Sequence, residues 1–375
     1  MPLTALQAVR DSGILIASDT GEYNKIGEFY PQDATTNPSL VLAAVKKPEY
    51  AHLIDRAVEY VLTRRDSIEA RTQLALDHLL VQVGIQILNI IPGRVSVSID
   101  PRLANDRDAI VNKGHDLIAI FEELGISRER VLIKIPGTYS GILAARILET
   151  PVRLSDGTMT DPIHTNATLI FGRVQALACA QAGMAVISPF IGRVKDWWAA
   201  REPKSDGATN PEQPLSEHPG IILVQQIRSA YASYGHRTGI MAAGFRRVEE
   251  IVELGKRGSR GGPDIVTLPP DLLAGLRDSV GVVSQNEFTP DRERQLEPVY
   301  IPPEGPTLEG EARYTKDVEE EMIALDKVPE GLAKFTVDAK ILEDLIRGKV
   351  ESGSVETSAG MFWFLGWPRW LGRLF

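Results

Sequence analysis

The stretch RVLIKIP at Arg130–Pro136 places one lysine, Lys134, inside an aliphatic run that ends in a proline. Short Val- and Ile-rich runs bounded by Gly, Pro or Asp are typical of strands buried on both faces of a parallel sheet. An ammonium group among apolar walls loses hydration, which favours the neutral, nucleophilic amine. The stretch therefore predicts a buried strand carrying a lysine that can attack a carbonyl carbon. An ion pair of Lys134 with Asp19 or Asp100 is the alternative interpretation, and the two are compatible.

Seven further runs of the same kind lie along the chain. They are Gly13–Asp19, Asp33–Asn37, Arg94–Asp100, His164–Ile170, Met184–Phe190, Gly239–Phe245 and Asp264–Pro269. Between them, apolar residues recur every three to four positions, as at Leu53, Ala57 and Val61, which is typical of amphipathic helices. Because consecutive parallel strands need crossover helices, eight such units predict an α/β fold, a (β/α)8 TIM barrel with extra helices. An open, doubly wound sheet is the structural alternative.

The composition argues against a nucleic-acid-binding, a disulfide-bonded and a membrane-spanning protein. The chain has 375 residues, a formal net charge of −9 and one cysteine, Cys179. An acidic chain is a poor candidate for binding nucleic acid, which requires a basic face. A single cysteine excludes an intramolecular disulfide and favours a core position in a reducing compartment. With no signal-like N-terminus and no run of about 20 apolar residues, the prediction is a cytoplasmic protein.

The C-terminal end differs in composition from the rest. We expect residues 1–350 to form the barrel and residues 351–375 to form a linker and an aromatic-rich tail. The tail, Met361–Phe375, reads MFWFLGWPRWLGRLF. Arginines among aromatic residues suit a membrane interface or a groove on a partner. The alternatives are a tail that packs on its own barrel and a disordered tail.

Polar residues stand at the end of nearly every predicted strand. They are Asp19, Thr35 with Asn37, Ser98 with Asp100, Lys134, Asn166 with Thr168, Ser188 and Arg246. In barrels of this class the catalytic side chains come from the C-terminal ends of the strands. Burying so many polar groups without partners would cost free energy. The pattern therefore predicts a polar site at that end of the barrel, and a network of mutually satisfied polar groups is the alternative.

Three charged residues near this end suit acid–base catalysis or phosphate binding. The carboxylate of Asp19 suits a general acid or base, with a helix cap as the alternative role. The guanidinium groups of Arg193 and Arg246 suit a phosphate, with ordinary surface arginines as the alternative. The six histidines show no metal-ligand spacing, and no nucleotide-binding glycine loop is present. We therefore expect neither a metal nor a cofactor.

With these residues assembled, the chain resembles the transaldolase family. The motifs that carry the resemblance are Ala17–Gly21 (ASDTG), Gln32–Leu40 (QDATTNPSL), Gly93–Leu103 (GRVSVSIDPRL), Ile133–Gly141 (IKIPGTYSG), Asn166–Phe171 (NATLIF), Ile187–Arg193 (ISPFIGR) and Met241–Arg246 (MAAGFR). The similarity runs from about Leu15 to about Leu345. QDATTNPSL and the lysine segment are highly specific, and the others are supportive.

The resemblance implies a class I, Schiff-base-forming transferase of the pentose phosphate pathway, with sugar phosphates as substrates, and it leaves a homodimer open. It implies that Lys134 forms the Schiff base, Asp19 is the general acid/base and Thr168 positions the catalytic water. The implied substrate-binding set is Asn37, Thr35, Asn166, Ser188, Phe190, Arg193 and Arg246. Within that set the two asparagines hold substrate hydroxyls, Ser188 contacts the donor ketose and the two arginines bind the phosphate.

One position departs from the family pattern. The third strand of the family reads GR(I/V)STEVDxRL, and Ser98 stands where that pattern has a catalytic glutamate. A serine hydroxyl is too weakly acidic to replace a carboxylate base near neutral pH. Gly244 likewise replaces a serine that assists phosphate binding. The expectations are an ordinary transaldolase with a weakened proton relay, a Schiff-base aldolase with an altered substrate, or a non-catalytic scaffold.

Overall fold

The computed structural model describes residues 3–153, 155–201, 214–281 and 296–353. Its centre is a closed barrel of eight parallel strands in chain order, in which β1 pairs with both β2 and β8. The strands are β1 Leu15–Asp19, β2 Asp33–Thr35, β3 Val95–Ser98, β4 Val131–Pro136, β5 Thr165–Ile170, β6 Val186–Pro189, β7 Gly239–Ala242 and β8 Ile265–Leu268. The predicted barrel and its eight strands are confirmed, and closure between β1 and β8 rules out the doubly wound sheet.

Helices follow the strands and surround the barrel. They are α1 Ala5–Asp11, α2 Pro38–Val45, α3 Pro48–Leu62, α4 Ile68–Leu88, α5 Arg107–Glu123, α6 Tyr139–Glu149, α7 Arg173–Gln181, α8 Ile191–Ala199, α9 Pro219–Tyr234, α10 Val248–Gly255, α11 Gly258–Gly261, α12 Pro270–Asp278, α13 Leu308–Glu321 and α14 Ile323–Ser352. The Gly255–Pro263 segment, which its composition favours as a loop, contains the short helix α11. None of the described helices is long and apolar enough to cross a bilayer.

Two helices begin immediately after short strands because the sequence supplies caps there. The Asn37 side chain accepts from the backbone N–H of Leu40 at 3.0 Å, and Pro38 occupies the first turn of α2. Thr138 caps α6 by accepting from the N–H of Gly141, also at 3.0 Å. A polar cap satisfies N–H groups that have no partner within the helix. The caps end β2 and β4 sharply and fix their last side chains at the mouth of the barrel.

An apolar plug fills the barrel below the polar strand ends. It consists of Ala17, Leu132, Val186, Met241 and Ile265, all of them buried. Side chains two residues apart on a strand point to the same face. Four of the plug residues are therefore followed, two positions later on the same strand and face, by a polar residue. These polar residues are Asp19, Lys134, Ser188 and Thr267. The two-residue alternation of side chains along the strands thus separates the apolar plug from a polar layer above it.

The last helix, α14, passes close to the C-terminal ends of the strands. It packs on α2, α4 and β5, and it is tied down by a Ser39–Asp338 hydrogen bond and by an Arg102–Glu343 ion pair of 2.6 Å. A Cβ atom added to Gly331 would lie 2.6 Å from the Leu169 side chain. A side chain at this position would therefore require the Leu169 side chain to move.

The helix α14 ends at Ser352 and is followed by Gly353 in the left-handed conformation. The predicted aromatic tail, Met361–Phe375, lies outside the described residues. Its contact with a membrane interface or a partner stays a prediction, as does the division of the chain near residue 350.

Candidate active site

Lys134 lies at the centre of the polar layer. Strand pairing sets it level with Ser98 on one side and Asn166 on the other. The side chain is 5% exposed, and its Nζ donates to the carbonyl oxygen of Thr36 at 3.2 Å. Burial lowers the pKa of Lys134, and the negative charge of Asp19 only partly opposes this effect. The lowered pKa favours the neutral amine, which is the nucleophilic form.

Asp19 is the last residue of β1, and its side chain faces the interior of the barrel, as Lys134 does. Its Oδ1 accepts from the hydroxyl of Thr35 at 2.6 Å, and the Thr35 hydroxyl lies 2.7 Å from that of Thr267. These three side chains come from the neighbouring strands β1, β2 and β8, so the carboxylate lies in the polar layer. Asp100 is oriented differently, because its carboxylate binds Arg102 at 2.9 Å.

Asn166 is fully buried and held from two sides. Its Nδ2 donates to Ser96 Oγ at 3.0 Å, and its Oδ1 accepts from Ser188 Oγ at 2.8 Å. The second N–H of the amide donates to Met241 Sδ at 3.9 Å, a weak acceptor, and one lone pair of Oδ1 stays available to a ligand. The two serines fix the orientation of the amide.

Ser98 lies directly beside the lysine. Its hydroxyl donates to the Thr36 carbonyl at 3.4 Å, and this is the same oxygen that accepts from Lys134 Nζ. The hydroxyl is buried and its hydrogen bond is long. The side chain next to the Lys134 amine is therefore the neutral hydroxyl of Ser98, which is a weak donor. A carboxylate at the same position could act as a base.

Thr168 sits at an irregular point of β5. Within the described residues its buried Oγ1 has no hydrogen-bond partner. The next residue, Leu169, has φ +59°, and the pairing of β5 with β6 shifts register between Ala167 and Ile170. Strained backbone and β-bulges are common next to active sites, where they reorient a side chain.

Phe190 and Arg193 lie at the start of α8, directly after β6, and Arg246 lies on the loop after β7. The Arg193 guanidinium lies 5.8 Å from the Phe190 ring, and burial lowers its pKa. Its Nη1 is buried and has no hydrogen-bond partner among the described residues. Arg246 is 51% exposed and binds Asp196 at 2.8 Å. Arg193 is thus a half-buried cation with an unused donor, and Arg246 is a rim residue.

The structure brings the predicted residues into two groups. Asp19, Thr35, Lys134, Asn166 and Ser188 belong to one polar layer, in which hydrogen bonds form three clusters: Asp19 with Thr35, Asn166 with Ser188, and Lys134 with Ser98 through the Thr36 carbonyl. Phe190, Arg193 and Arg246 form a rim group. Asn37 differs from both, because its side-chain oxygen is used to cap α2. In the described part of the chain no cluster of three metal-ligating side chains occurs.

Sequence reasoning missed three contributors to this site. Ser96 holds Asn166, Thr267 completes the Thr35 pair, and Gln175 supports the bulge of β5 by donating to the carbonyl of Gly137 at 2.7 Å and accepting from the N–H of Phe171 at 2.9 Å. The two-residue period could have found Ser96, which shares a strand face with Ser98. Thr267 also follows a plug residue by two positions. No local signal marks Gln175.

Comparison with known proteins identifies the family of the chain. The family model described as Transaldolase/Fructose-6-phosphate aldolase matches residues 16–346. A protein named transaldolase from Saccharomyces cerevisiae is 40% identical over 350 residues, which are 92% of this chain and 95% of the relative. Transaldolases from Schizosaccharomyces pombe and Haemophilus influenzae are 38% and 39% identical, covering 93% and 92% of this chain and 100% and 99% of the relatives.

Among solved structures, a flavocytochrome b2 variant is 9% identical with a TM-score of 0.33, covering 92% of this chain and 71% of that one. A likeness this distant has no functional meaning. The family match and the relatives, by contrast, span nearly all of the described barrel. The chain therefore belongs to the Transaldolase/Fructose-6-phosphate aldolase family.

Proposed function

We propose that this chain is a transaldolase that transfers a dihydroxyacetone unit through a Schiff base on Lys134. The reaction converts sedoheptulose 7-phosphate and glyceraldehyde 3-phosphate into erythrose 4-phosphate and fructose 6-phosphate. The observation that carries the proposal is the buried amine of Lys134, whose pKa is lowered, one strand away from Ser98 and facing the same interior as Asp19. The names of the relatives support the same transferase chemistry.

The first half of the reaction forms and uses an iminium ion. The neutral Nζ of Lys134 attacks the C2 carbonyl of the ketose phosphate, and loss of water leaves a C=N bond. Asp19 removes the proton of the C4 hydroxyl, the C3–C4 bond breaks, and its electron pair moves into the iminium. The shortened aldose phosphate leaves as an aldehyde. The iminium acts as the electron sink that makes this cleavage feasible.

The second half reverses these steps with another aldehyde. The enamine on Lys134 attacks the acceptor aldose phosphate, and protonated Asp19 returns its proton to the new C4 oxygen. Water then hydrolyses the iminium and frees the amine. The unpartnered hydroxyl of Thr168 is suited to hold that water. On Asn166, the remaining lone pair of Oδ1 and the N–H that donates to the weak acceptor Met241 Sδ suit the hydroxyls of the bound three-carbon unit. Ser188, Thr35 and Asn37 support these contacts.

We assign the phosphate to the rim arginines. Arg193, with its unpaired Nη1, lies in the first turn of α8 after β6, and Arg246, with its exposed guanidinium, lies on the loop after β7. Phe190 lies against Arg193 and limits the directions that its guanidinium can take. A hydrogen bond to a charged group contributes about 1.5–3 kcal/mol, which corresponds to roughly 10- to 150-fold in affinity.

Replacing either arginine with methionine should weaken the binding of phosphorylated substrates. We expect Arg193→Met and Arg246→Met each to raise KM for fructose 6-phosphate by about tenfold or more, with little change for unphosphorylated fructose. Arg201→Met is the control, because Arg201 binds Asp326 instead. Steady-state kinetics on both sugars gives the comparison, and equal losses on both sugars would contradict the assignment.

Ser98 sets the rate that this chemistry can reach. We infer that its hydroxyl cannot serve as the base that a glutamate provides at this position, so that proton transfer during formation and hydrolysis of the iminium is slow. General acid–base groups of this kind contribute about 10²–10⁴-fold. The enzyme should therefore be a slow transaldolase rather than an inactive one.

The variant Ser98→Glu tests this inference, with Ser98→Gln as a control of equal size and no basicity. In a coupled assay with fructose 6-phosphate and erythrose 4-phosphate, we expect Ser98→Glu to raise kcat by about tenfold or more and Ser98→Gln to leave it unchanged or lower. A glutamate variant that folds and shows no gain would favour a Schiff-base aldolase with another substrate. Borohydride trapping with a panel of ketoses and aldehydes would then identify that substrate.

A further inference from the structure

A buried histidine–carboxylate pair lies outside the polar layer, beneath the loop that carries Arg246. His218 is 3% exposed and Glu250 is fully buried, and His218 Nε2 lies 3.5 Å from Glu250 Oε1. His218 caps the first turn of α9, whereas Glu250 belongs to the first turn of α10. The pair therefore joins two helices that begin at the catalytic end of the barrel.

The hydrogen bonds of His218 fix its tautomer. Nδ1 accepts from the N–H groups of Gly220 at 3.1 Å and Ile221 at 3.3 Å, so the proton of the neutral ring is on Nε2. Among the described residues neither His218 Nε2 nor Glu250 Oε1 makes a hydrogen bond of good geometry. The two atoms lie 3.5 Å apart, and Arg247 Nε lies farther from the same oxygen, at 4.0 Å. The N–H of Nε2 therefore faces the carboxylate oxygen. Buried polar groups are rarely left unpaired, because desolvation without a partner costs free energy.

The second oxygen of Glu250 holds the arginine loop. Oε2 accepts from the backbone N–H of Arg246 at 2.8 Å and from that of Arg247 at 3.3 Å. The hydrogen bonds from His218 and from these amides outweigh burial and lower the pKa of Glu250. A charged carboxylate thus connects the N-terminus of α9, through His218, to the backbone of Arg246.

Close backbone contacts pack the start of α9 tightly against the segments that follow β6 and β7. A Cβ atom on Gly220 would lie 2.3 Å from the carbonyl oxygen of Ile191, and one on Gly192 would lie 2.3 Å from that of Gly244. Gly244 has φ +71°, a conformation that favours glycine. The start of α9 and the loops after β6 and β7 therefore cannot shift independently.

We propose that His218 and Glu250 are positioning residues that set the phosphate specificity of the enzyme by holding the backbone of Arg246. The proposal rests on the proposed transaldolase function. The pair does not touch the substrate; it fixes the direction from which the guanidinium of Arg246 approaches the phosphate. A misplacement of about 1 Å in a binding group can cost as much as roughly 10²-fold.

Two conservative variants test the role. Glu250→Gln keeps the size and one acceptor oxygen but loses the charge. His218→Asn keeps an acceptor that caps α9 but cannot reach Glu250 with a donor. We expect each to raise KM for fructose 6-phosphate about tenfold, with kcat close to that of the wild type and KM for unphosphorylated fructose unchanged. The double variant should be no worse than the poorer single one, because the two residues act through one contact.

The control is a second histidine–glutamate pair at the other end of α9. His236 Nε2 lies 2.6 Å from Glu297 Oε1, just after the helix ends. His236→Gln should leave the KM for both sugars unchanged. If this control raises KM for fructose 6-phosphate as much as Glu250→Gln does, the effect is one of general stability and the proposal is wrong.

Direct binding separates this proposal from the function on which it rests. Calorimetric titration of the full chain with inorganic phosphate should show weaker binding by Glu250→Gln and His218→Asn than by the wild type. Unchanged phosphate affinity, or an equal rise in KM for phosphorylated and unphosphorylated fructose, would overturn the positioning role. Failure of the wild type to form a borohydride-reducible adduct with fructose 6-phosphate would instead overturn the transaldolase function.

Discussion

Lys134→Met should abolish covalent trapping of the substrate. With fructose 6-phosphate and borohydride, the wild-type chain is expected to gain the mass of one reduced three-carbon or six-carbon adduct, and the variant is expected to gain none. Transfer activity should disappear with the adduct, because the iminium on Lys134 is the proposed electron sink for cleavage of the C3–C4 bond. Methionine is suited to the site because Lys134 is buried on an apolar plug.

Intact-mass measurement before and after reduction gives the readout, and peptide mapping of the wild type locates the adduct. Lys340→Met serves as the control, because Lys340 is exposed on α14 and pairs with Asp344 at 3.0 Å. It should trap substrate like the wild type. An adduct of the same mass on a folded Lys134→Met chain would remove this lysine from its proposed role and the mechanism with it.

Asp19→Asn should separate formation of the iminium from cleavage of the carbon–carbon bond. Asparagine has nearly the same shape, and its oxygen can still accept from Thr35, so the polar layer should stay in place. It cannot remove the C4 proton. We expect transfer to slow by about 10²–10⁴-fold, while trapping of fructose 6-phosphate persists and the adduct is the uncleaved six-carbon sugar.

The control is Asp106→Asn, because Asp106 is an exposed cap of α5 and asparagine caps equally well. Its transfer rate should match that of the wild type. A transfer rate in Asp19→Asn close to wild type, or complete loss of the adduct in a folded chain, would show that Asp19 does not act at the cleavage step.

The barrel could be predicted from local patterns because each strand is a short aliphatic run. All six residues of β4, Val131–Pro136, are buried, as the aliphatic composition of this stretch indicates. The polar strand ends were predictable for the same reason: the two-residue period that buries Leu132 also directs Lys134 into the interior. What local pattern cannot give is the register between strands, which decides that Ser96 and Ser188 both reach Asn166.

Other parts of the site depend on residues far apart in the chain. The approach of Gly331 to Leu169 joins α14 to β5 although the two residues are far apart in the chain, and neither residue carries a local signal for it. The tie from His218 through Glu250 to Arg246 likewise spans two helices. Such contacts arise from the packing of complete elements, so only the folded structure places them.

The apolar plug also bears on the route of the substrates. Leu132, Val186, Met241 and Ile265 fill the barrel below the polar strand ends, so the sugar phosphates of the proposed reaction would approach Lys134 from the end where the arginines lie. Because the three-carbon unit stays on Lys134 after the first aldehyde leaves, the proposed mechanism predicts a ping-pong cycle, in which the enzyme alternates between a free and a loaded form.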